Sequence, residues 1–273
     1  DPTRDLDLMQ AAHFTVIRVG ESTWSTWEPS NGEFNLDWLQ PVLDGAHQRG
    51  LGVILGTPTY AAPPWLAHAY PEIAGEPQTG QRHPWGARQE IDITHPAFLF
   101  HAERIIRKVV ARYADHPAVI GYQVDNEPGV IPLHNHGTFV RFLGWLEKRY
   151  HTVDRLNEEW GLTYWSHRIN QWSELWRPDG NAQPQYDLAW RTFQNECTTE
   201  FIHWQRDIVR EYAREDQFVT TCVAFDRPTV DEGQVSAGLD VAAANAYYAM
   251  QDHLAWDSER ERPLASPSRS RPD

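Results

Sequence analysis

Cysteine is almost missing from this sequence: Cys197 and Cys222 are the whole supply in 273 residues. Two thiols make neither a disulfide framework nor a four-ligand zinc pattern, so a reducing, cytoplasmic setting is the default expectation. Basic side chains are also short, 24 against 38 acidic ones, for a net charge of −14. That balance opposes nucleic acid and anionic membrane surfaces as partners, since both would repel the chain. No apolar run approaches the roughly 18 residues that cross a bilayer. The opening DPTRDLDLMQAAHF is charged, lacks the apolar centre of a secretion signal and has no initiator Met, so the true start is expected upstream. A Gly-rich phosphate loop is missing after the first strand-like segment, which weakens the case for a doubly wound sheet.

Tryptophan, by contrast, is abundant, with 13 residues among 33 aromatics. Its flat apolar face suits both core filling and stacking on sugar rings, and most copies are expected in the core. Apolar runs of strand length occur at 14–21, 51–58, 117–127, 217–225 and 239–248. Between them lie amphipathic segments at 5–13, 36–50 and 98–116, then a long helical, Trp-rich region from about 138 to 212. Strand alternating with helix predicts a parallel sheet covered by helices. Each strand ends in polar or turn residues: Arg18 to Glu21, Thr57-Pro58, Asp125-Asn126-Glu127, Asn245 to Tyr248. Polar groups gathered at strand C-termini predict a (β/α)8 barrel, whose active site is built there. Only five strands are found, so the barrel reads as incomplete. The expected organisation is one partial catalytic domain over 1–250, with an inserted helical lobe at about 138–195 and an irregular tail at 251–273.

The segment VIGYQVDNEPG (119–129) carries the chemistry. A buried strand that stops on two acids and an amide before a Pro-Gly turn reads either as a capped, ion-paired turn or as half of a catalytic carboxylate pair. Glycoside hydrolysis needs two carboxyl groups flanking the bond, one of them kept protonated by burial to serve as acid/base. Glu127, at the strand end beside an amide able to bond a sugar hydroxyl, suits that role.

The chain resembles the β-galactosidases of glycoside hydrolase family 42. The likeness rests on VIRVGESTWSTWEPSNGEFNLDWL (16–39), GVILGTPTYAAPPWLAHAYPEI (52–73), ARYADHPAVIGYQVDNEPG (111–129) and FLGWLEKRYHTVDRLNEEWGLTYWS (142–166). It weakens from about 177 to 248. The resemblance implies a retaining mechanism on terminal β-galactosyl residues or galacto-oligosaccharides, with no cofactor and with homo-oligomerisation left open. It makes Glu127 the general acid/base and Asn126 the partner of the sugar 2-OH. Arg88 contacts the galactosyl unit, and Trp165 is a subsite tryptophan. Tyr247, or Tyr248 by one register step, lies near the nucleophile. Arg18 helps keep that nucleophile ionised, with Glu21 beside it; a plain Arg18–Glu21 pair at the barrel rim is the alternative.

Two departures from the family pattern stand out. The cysteine cluster that binds zinc in many members is replaced by IDITHP and IPLHNH, which leaves His134 and His136 as lone loop histidines and predicts no metal. The family's nucleophile is a Glu ending the seventh strand, whereas these segments correspond to strands two to six. The nucleophile is therefore expected outside this chain, and Glu232, Asp252, Glu259 and Glu261 lack a strand to hold them. Another retaining glycosidase of the mannanase or xylanase type, or a sugar-binding remnant without turnover, remain the alternatives.

Overall fold

The computed structural model describes residues 1–86, 88, 90–178, 183–225 and 227–245, with the backbone of 256–257 and 262–263. Helix α1 (Pro2–Ala11) starts earlier than the hydrophobic spacing predicts, because Asp1 accepts from the Thr3 amide at 3.1 Å and Pro2 occupies the first turn. Strand β1 (Val16–Val19) leads to a short helix, α2 (Trp24–Trp27), and then to α3 (Gln40–Gln48). Strand β2 (Gly52–Gly56), helix α4 (Pro64–Ala69), the 18-residue helix α5 (Pro96–Tyr113) and strand β3 (Val119–Gln123) follow. Helices α6 (His136–Tyr150), α7 (Val153–Trp160) and the 27-residue α8 (Pro184–Arg210) precede β4 (Phe218–Ala224), α9 (Glu232–Ala237) and β5 (Val241–Asn245).

The five strands form one parallel sheet in the order β1-β2-β3-β4-β5, each beside its predecessor in sequence. A doubly wound sheet would reverse its order at a switch point; steady progression belongs to a (β/α)8 barrel, of which this is an arc. The arc's edges are visible in burial. Val16 on β1 and Val241 on β5 are exposed, whereas β3 and β4 between them are buried along nearly their whole length. Beyond β5, Trp256–Asp257 (β6) and Arg262–Pro263 (β7) pair antiparallel, and the rest of 246–273 lies outside the described residues.

Two apolar cores take up ten of the 13 tryptophans, wholly or in part. Beneath the sheet, Trp24, Trp27, Phe98, Tyr113 and Tyr122 are fully buried with the Leu, Ile and Val side chains of β2, α5 and β4. The second core lies in the helical lobe, where Phe142 meets Tyr186, Trp190 and Phe193 and Trp160 stacks on Tyr186. Each large apolar side chain so enclosed contributes about 1.5–3 kcal/mol relative to exposure. Helix α8 serves both cores, with Tyr186, Trp190 and Phe193 in the lobe and Phe201, Ile202 and Val209 under the sheet. At 1.5 Å per residue it runs about 40 Å, long enough to tie the lobe to the barrel. Among the described residues no helix is long and apolar enough to cross a membrane.

Candidate active site

After β3 the chain turns sharply. Asp125 and Glu127 have φ of +55° and +47°, left-handed values at non-glycine positions on either side of Asn126. Such a conformation costs about 1–3 kcal/mol per residue and persists only where neighbours hold it. Here every amide from 124 to 127 is held. Val124 N–H donates to Thr220 O at 2.8 Å and Asp125 N–H to Thr57 Oγ1 at 2.8 Å. Asn126 N–H donates to Asp125 Oδ1 at 2.7 Å and Glu127 N–H to Cys222 O at 2.7 Å. Gly129 then turns back at φ +76°, where an added Cβ would lie 2.5 Å from Val230 and 2.6 Å from Thr229. The turn is therefore clamped between β2, β4 and the loop after β4.

The result is a carboxyl group buried at the strand ends. Glu127 is 1% exposed; its Oε1 accepts from Asn245 Nδ2 at 2.6 Å, and its Oε2 faces Arg227 Nη2 at 3.4 Å and Arg88 Nη2 at 3.5 Å. These partners come from three separate parts of the chain: the end of β5, the loop after β4 and the loop before α5. Arg88 also lies over the Tyr60 ring, 5.9 Å from its centroid. A buried carboxyl between an amide donor and two guanidinium groups can hold a proton or carry a charge, which general acid/base chemistry requires.

Arg18 Nη1 donates to Gln123 Oε1 at 2.6 Å, and Gln123 Nε2 donates to Asn126 Oδ1 at 3.2 Å. This relay fixes the Asn126 carbonyl toward the sheet and turns its NH2 the other way. Arg18 Nε also meets Glu21 Oε1 at 3.3 Å. Gly56 makes that possible, because a Cβ there would come within 2.6 Å of Glu21 Cβ. Burial pushes the nearby Cys222 thiol up, against the opposing pull of Arg18.

Of the residues singled out in the sequence, Glu127, Asn126, Arg88, Arg18 and Glu21 thus share the C-terminal face of the sheet. Trp165, in the lobe, is 64% exposed at φ +53° and stacks on Tyr164 with centroids 5.0 Å apart. Tyr247 and its alternative Tyr248 lie outside the described residues. Glu232 stands in the first turn of α9. His134 packs on Trp190 and His136 Nδ1 meets Arg177 at 3.2 Å, and among the described residues no group of three metal-binding side chains is found. Arg227 and Gln123 were not apparent as site residues from the sequence; Arg227 sits in FDRPT, where strand-end position was the available clue, and Gln123 looks like an ordinary strand residue.

Comparison with known proteins gives the family. The glycoside hydrolase 42 family model, described as beta-galactosidase, matches residues 2–268, past the point where the resemblance fades to the eye. The beta-galactosidase BgaA of a Thermus species is 33% identical over 255 residues, covering 89% of this chain and 38% of the relative. The beta-galactosidase bgaB of Geobacillus kaustophilus is 30% identical, over 89% of this chain and 37% of its own length. The polyextremophilic beta-galactosidase of Halorubrum lacusprofundi superposes with a TM-score of 0.87 at 31% identity, covering 93% of this chain and 39% of that one. The chain thus spans under two-fifths of the relatives it matches. With the family model covering nearly its whole length, the chain belongs to glycoside hydrolase family 42, the β-galactosidases.

Proposed function

We propose that this chain is the acid/base-bearing part of a retaining β-galactosidase acting on terminal β-galactosyl residues, galacto-oligosaccharides included. The observation that carries the reading is the buried Glu127, held between Asn245, Arg227 and Arg88 at the end of a barrel strand. In the first step protonated Glu127 gives its proton to the glycosidic oxygen as the bond to the anomeric carbon breaks. A nucleophilic carboxylate about 5–5.5 Å from it forms the glycosyl ester. In the second step Glu127, now a carboxylate, takes a proton from water, whose oxygen attacks the anomeric carbon and frees the nucleophile. We place that nucleophile outside this chain, on the strands that continue the arc beyond β5.

Asn126, oriented by the Gln123–Arg18 relay, is proposed to bond the sugar 2-OH, and Arg88, Trp165 and Tyr247 to contact substrate. Arg18 and Glu21 are proposed to support the nucleophile. A single catalytic domain through residue 250 with an inserted lobe, a cytoplasmic setting and homo-oligomerisation belong to the same proposal.

The test is hydrolysis of a nitrophenyl β-galactoside by this chain alone and by the chain joined to the remaining barrel strands, here termed the completed barrel. Turnover by the completed barrel, absent from the chain alone and lost in Glu127→Ala, is the expected result. Turnover by the chain alone would place the nucleophile within it. A completed barrel that folds but cleaves no β-galactoside would overturn the substrate assignment.

A further inference from the structure

Behind Glu127 lies a buried polar cluster for which the mechanism above has no use. Asp125, Thr57, Thr59 and Gln205 are all buried, and the Asp125 carboxyl meets Thr59 in the loop after β2, which in turn meets Gln205 of α8. Thr59 Oγ1 is 2.6 Å from Asp125 Oδ2 and 3.0 Å from Gln205 Oε1. Thr57 Oγ1 donates to the same Gln205 oxygen at 2.7 Å and accepts from Asp125 N–H at 2.8 Å. The contacts close a ring that leaves Asp125 by its carboxyl and returns to it by its backbone amide.

We propose that Asp125 is the positioning residue of the acid/base turn, pinning through Thr57, Thr59 and Gln205 the strained backbone that aims Asn126 and Glu127. The left-handed φ at 125 and 127 needs an anchor, and Asp125 supplies one at both ends. Its Oδ1 takes the Asn126 amide, and its Oδ2 ties the turn to β2 and α8.

With the Gln205 side-chain oxygen facing both threonines, counting hydrogens favours a neutral Asp125. The Thr59 hydroxyl has one proton and cannot donate to both Asp125 Oδ2 and Gln205 Oε1. With Asp125 as a neutral carboxylic acid, its O–H donates to Thr59, Thr59 donates to Gln205, and each contact has one hydrogen. The groups meeting Asp125 from the loop after β2, from α8 and from its own turn are uncharged: two hydroxyls, an amide side chain and a peptide N–H. Glu127, two residues along, is turned toward Arg88, Arg227 and Asn245 instead. Burial accordingly pushes the Asp125 carboxyl up to about 6, against smaller opposing effects from Thr59, the Asn126 amide and Gln205. Asparagine at 125 reproduces the neutral pattern, with Oδ1 on the Asn126 amide and Nδ2 donating to Thr59.

The inference deepens the proposed role of Glu127, so its test has one readout independent of turnover. Amide hydrogen exchange at Asn126 and Glu127 is measured on this chain for wild type, Asp125→Ala, Asp125→Asn, Thr59→Val and Thr59→Ser. In the completed barrel kcat and KM are measured for the same set. Asp125→Ala and Thr59→Val are expected to speed exchange at both amides by about tenfold, the loss of one hydrogen bond. They are expected to lower kcat about tenfold to a hundredfold with KM changed under threefold, since misaimed catalytic groups cost rate more than binding. Asp125→Asn and Thr59→Ser are expected to restore both. Unchanged exchange at 126 and 127 in Thr59→Val or in a folded Asp125→Ala, or no rescue by Asp125→Asn, overturns the inference. If the wild-type barrel cleaves no galactoside, the galactosidase reading fails, and the exchange data still judge Asp125.

Discussion

Arg227 Nη2 lies 3.4 Å from Glu127 Oε2, although 100 residues separate the two in sequence. Arg88 reaches the same oxygen at 3.5 Å, but its side chain is 56% exposed against 20% for Arg227. The less solvated cation couples more strongly to the carboxyl. Replacing it with Gln removes stabilisation of the charged form of Glu127. The alkaline limb of kcat/KM should then move to higher pH by about half to one unit in Arg227→Gln, and stay in place in Arg227→Lys. A pH–rate profile of the completed barrel checks this; an unmoved limb in Arg227→Gln separates Arg227 from the proton transfer.

Asn245 holds the other oxygen of Glu127, at 2.6 Å. Asn245→Ala removes a donor from a buried carboxyl, and kcat should fall about tenfold or more, in line with losing one hydrogen bond to a charged group. Asn245→Asp should do worse, because it sets a second carboxylate against the first. Steady-state kinetics on both variants test the ranking.

Asp125 also imprints a pH dependence on stability. Its folded-state value, about 6, lies above the ordinary 3.8. A raised carboxyl adds stability that is fully present below the unfolded value and is lost as pH rises through the folded one. Wild type should therefore lose ground to Asp125→Asn between pH 4 and pH 7, by up to about 3 kcal/mol. Urea midpoints of the two proteins at pH 4.5 and pH 8 give the difference; a gap independent of pH contradicts a neutral Asp125.

His101 acts in the opposite sense. It is buried against the Trp65 and Tyr70 rings, and burial, then the Arg104 charge, holds its imidazole below the usual histidine range. A lowered histidine contributes stability present above its unfolded value, near 6.5, and lost as pH falls through the folded one. His101→Phe should flatten the loss of thermal stability between pH 7 and pH 5, measured as the shift in Tm. An equally steep loss in the variant would assign it to other groups.

Gly56 has no room for a side chain, since its Cβ would sit 2.6 Å from Glu21 Cβ and 2.9 Å from Glu21 Cα. Gly56→Ala should displace the Glu21 segment and with it the Arg18–Glu21 pair, at a cost of about 1–3 kcal/mol for overpacking. The change is read as a lower urea midpoint at unchanged slope.

Much of this was legible in the sequence. Apolar runs such as LGVILGTP identify strands buried on both faces, and the abrupt polar ending DNE marks Glu127 at the rim. Spacing could not reveal the partners of Glu127. Arg227 and Asn245 arrive from loops and strands 100 and 118 residues away, and which residue of a loop reaches inward depends on the turn, not on the pattern. The Asp125 ring was hidden for the same reason, because Gln205 looks like any polar residue on a long helix until the sheet brings Thr57 and Thr59 beside it. Trp165 was singled out by resemblance, and its stacking on Tyr164 within the lobe is a contact no spacing rule supplies.

The central claim is that Glu127 protonates the leaving group and then activates water. The most direct measurement is the rate of Glu127→Ala, in the completed barrel, on aryl β-galactosides of graded leaving-group acidity, with and without azide. Acidic phenols leave without protonation, so the variant should keep most of its bond-cleavage rate on them and lose it steeply on poor leaving groups. Azide, which attacks without a general base, should restore turnover and give the β-galactosyl azide. A variant whose rate falls equally on all leaving groups, with no azide product, would contradict the assignment.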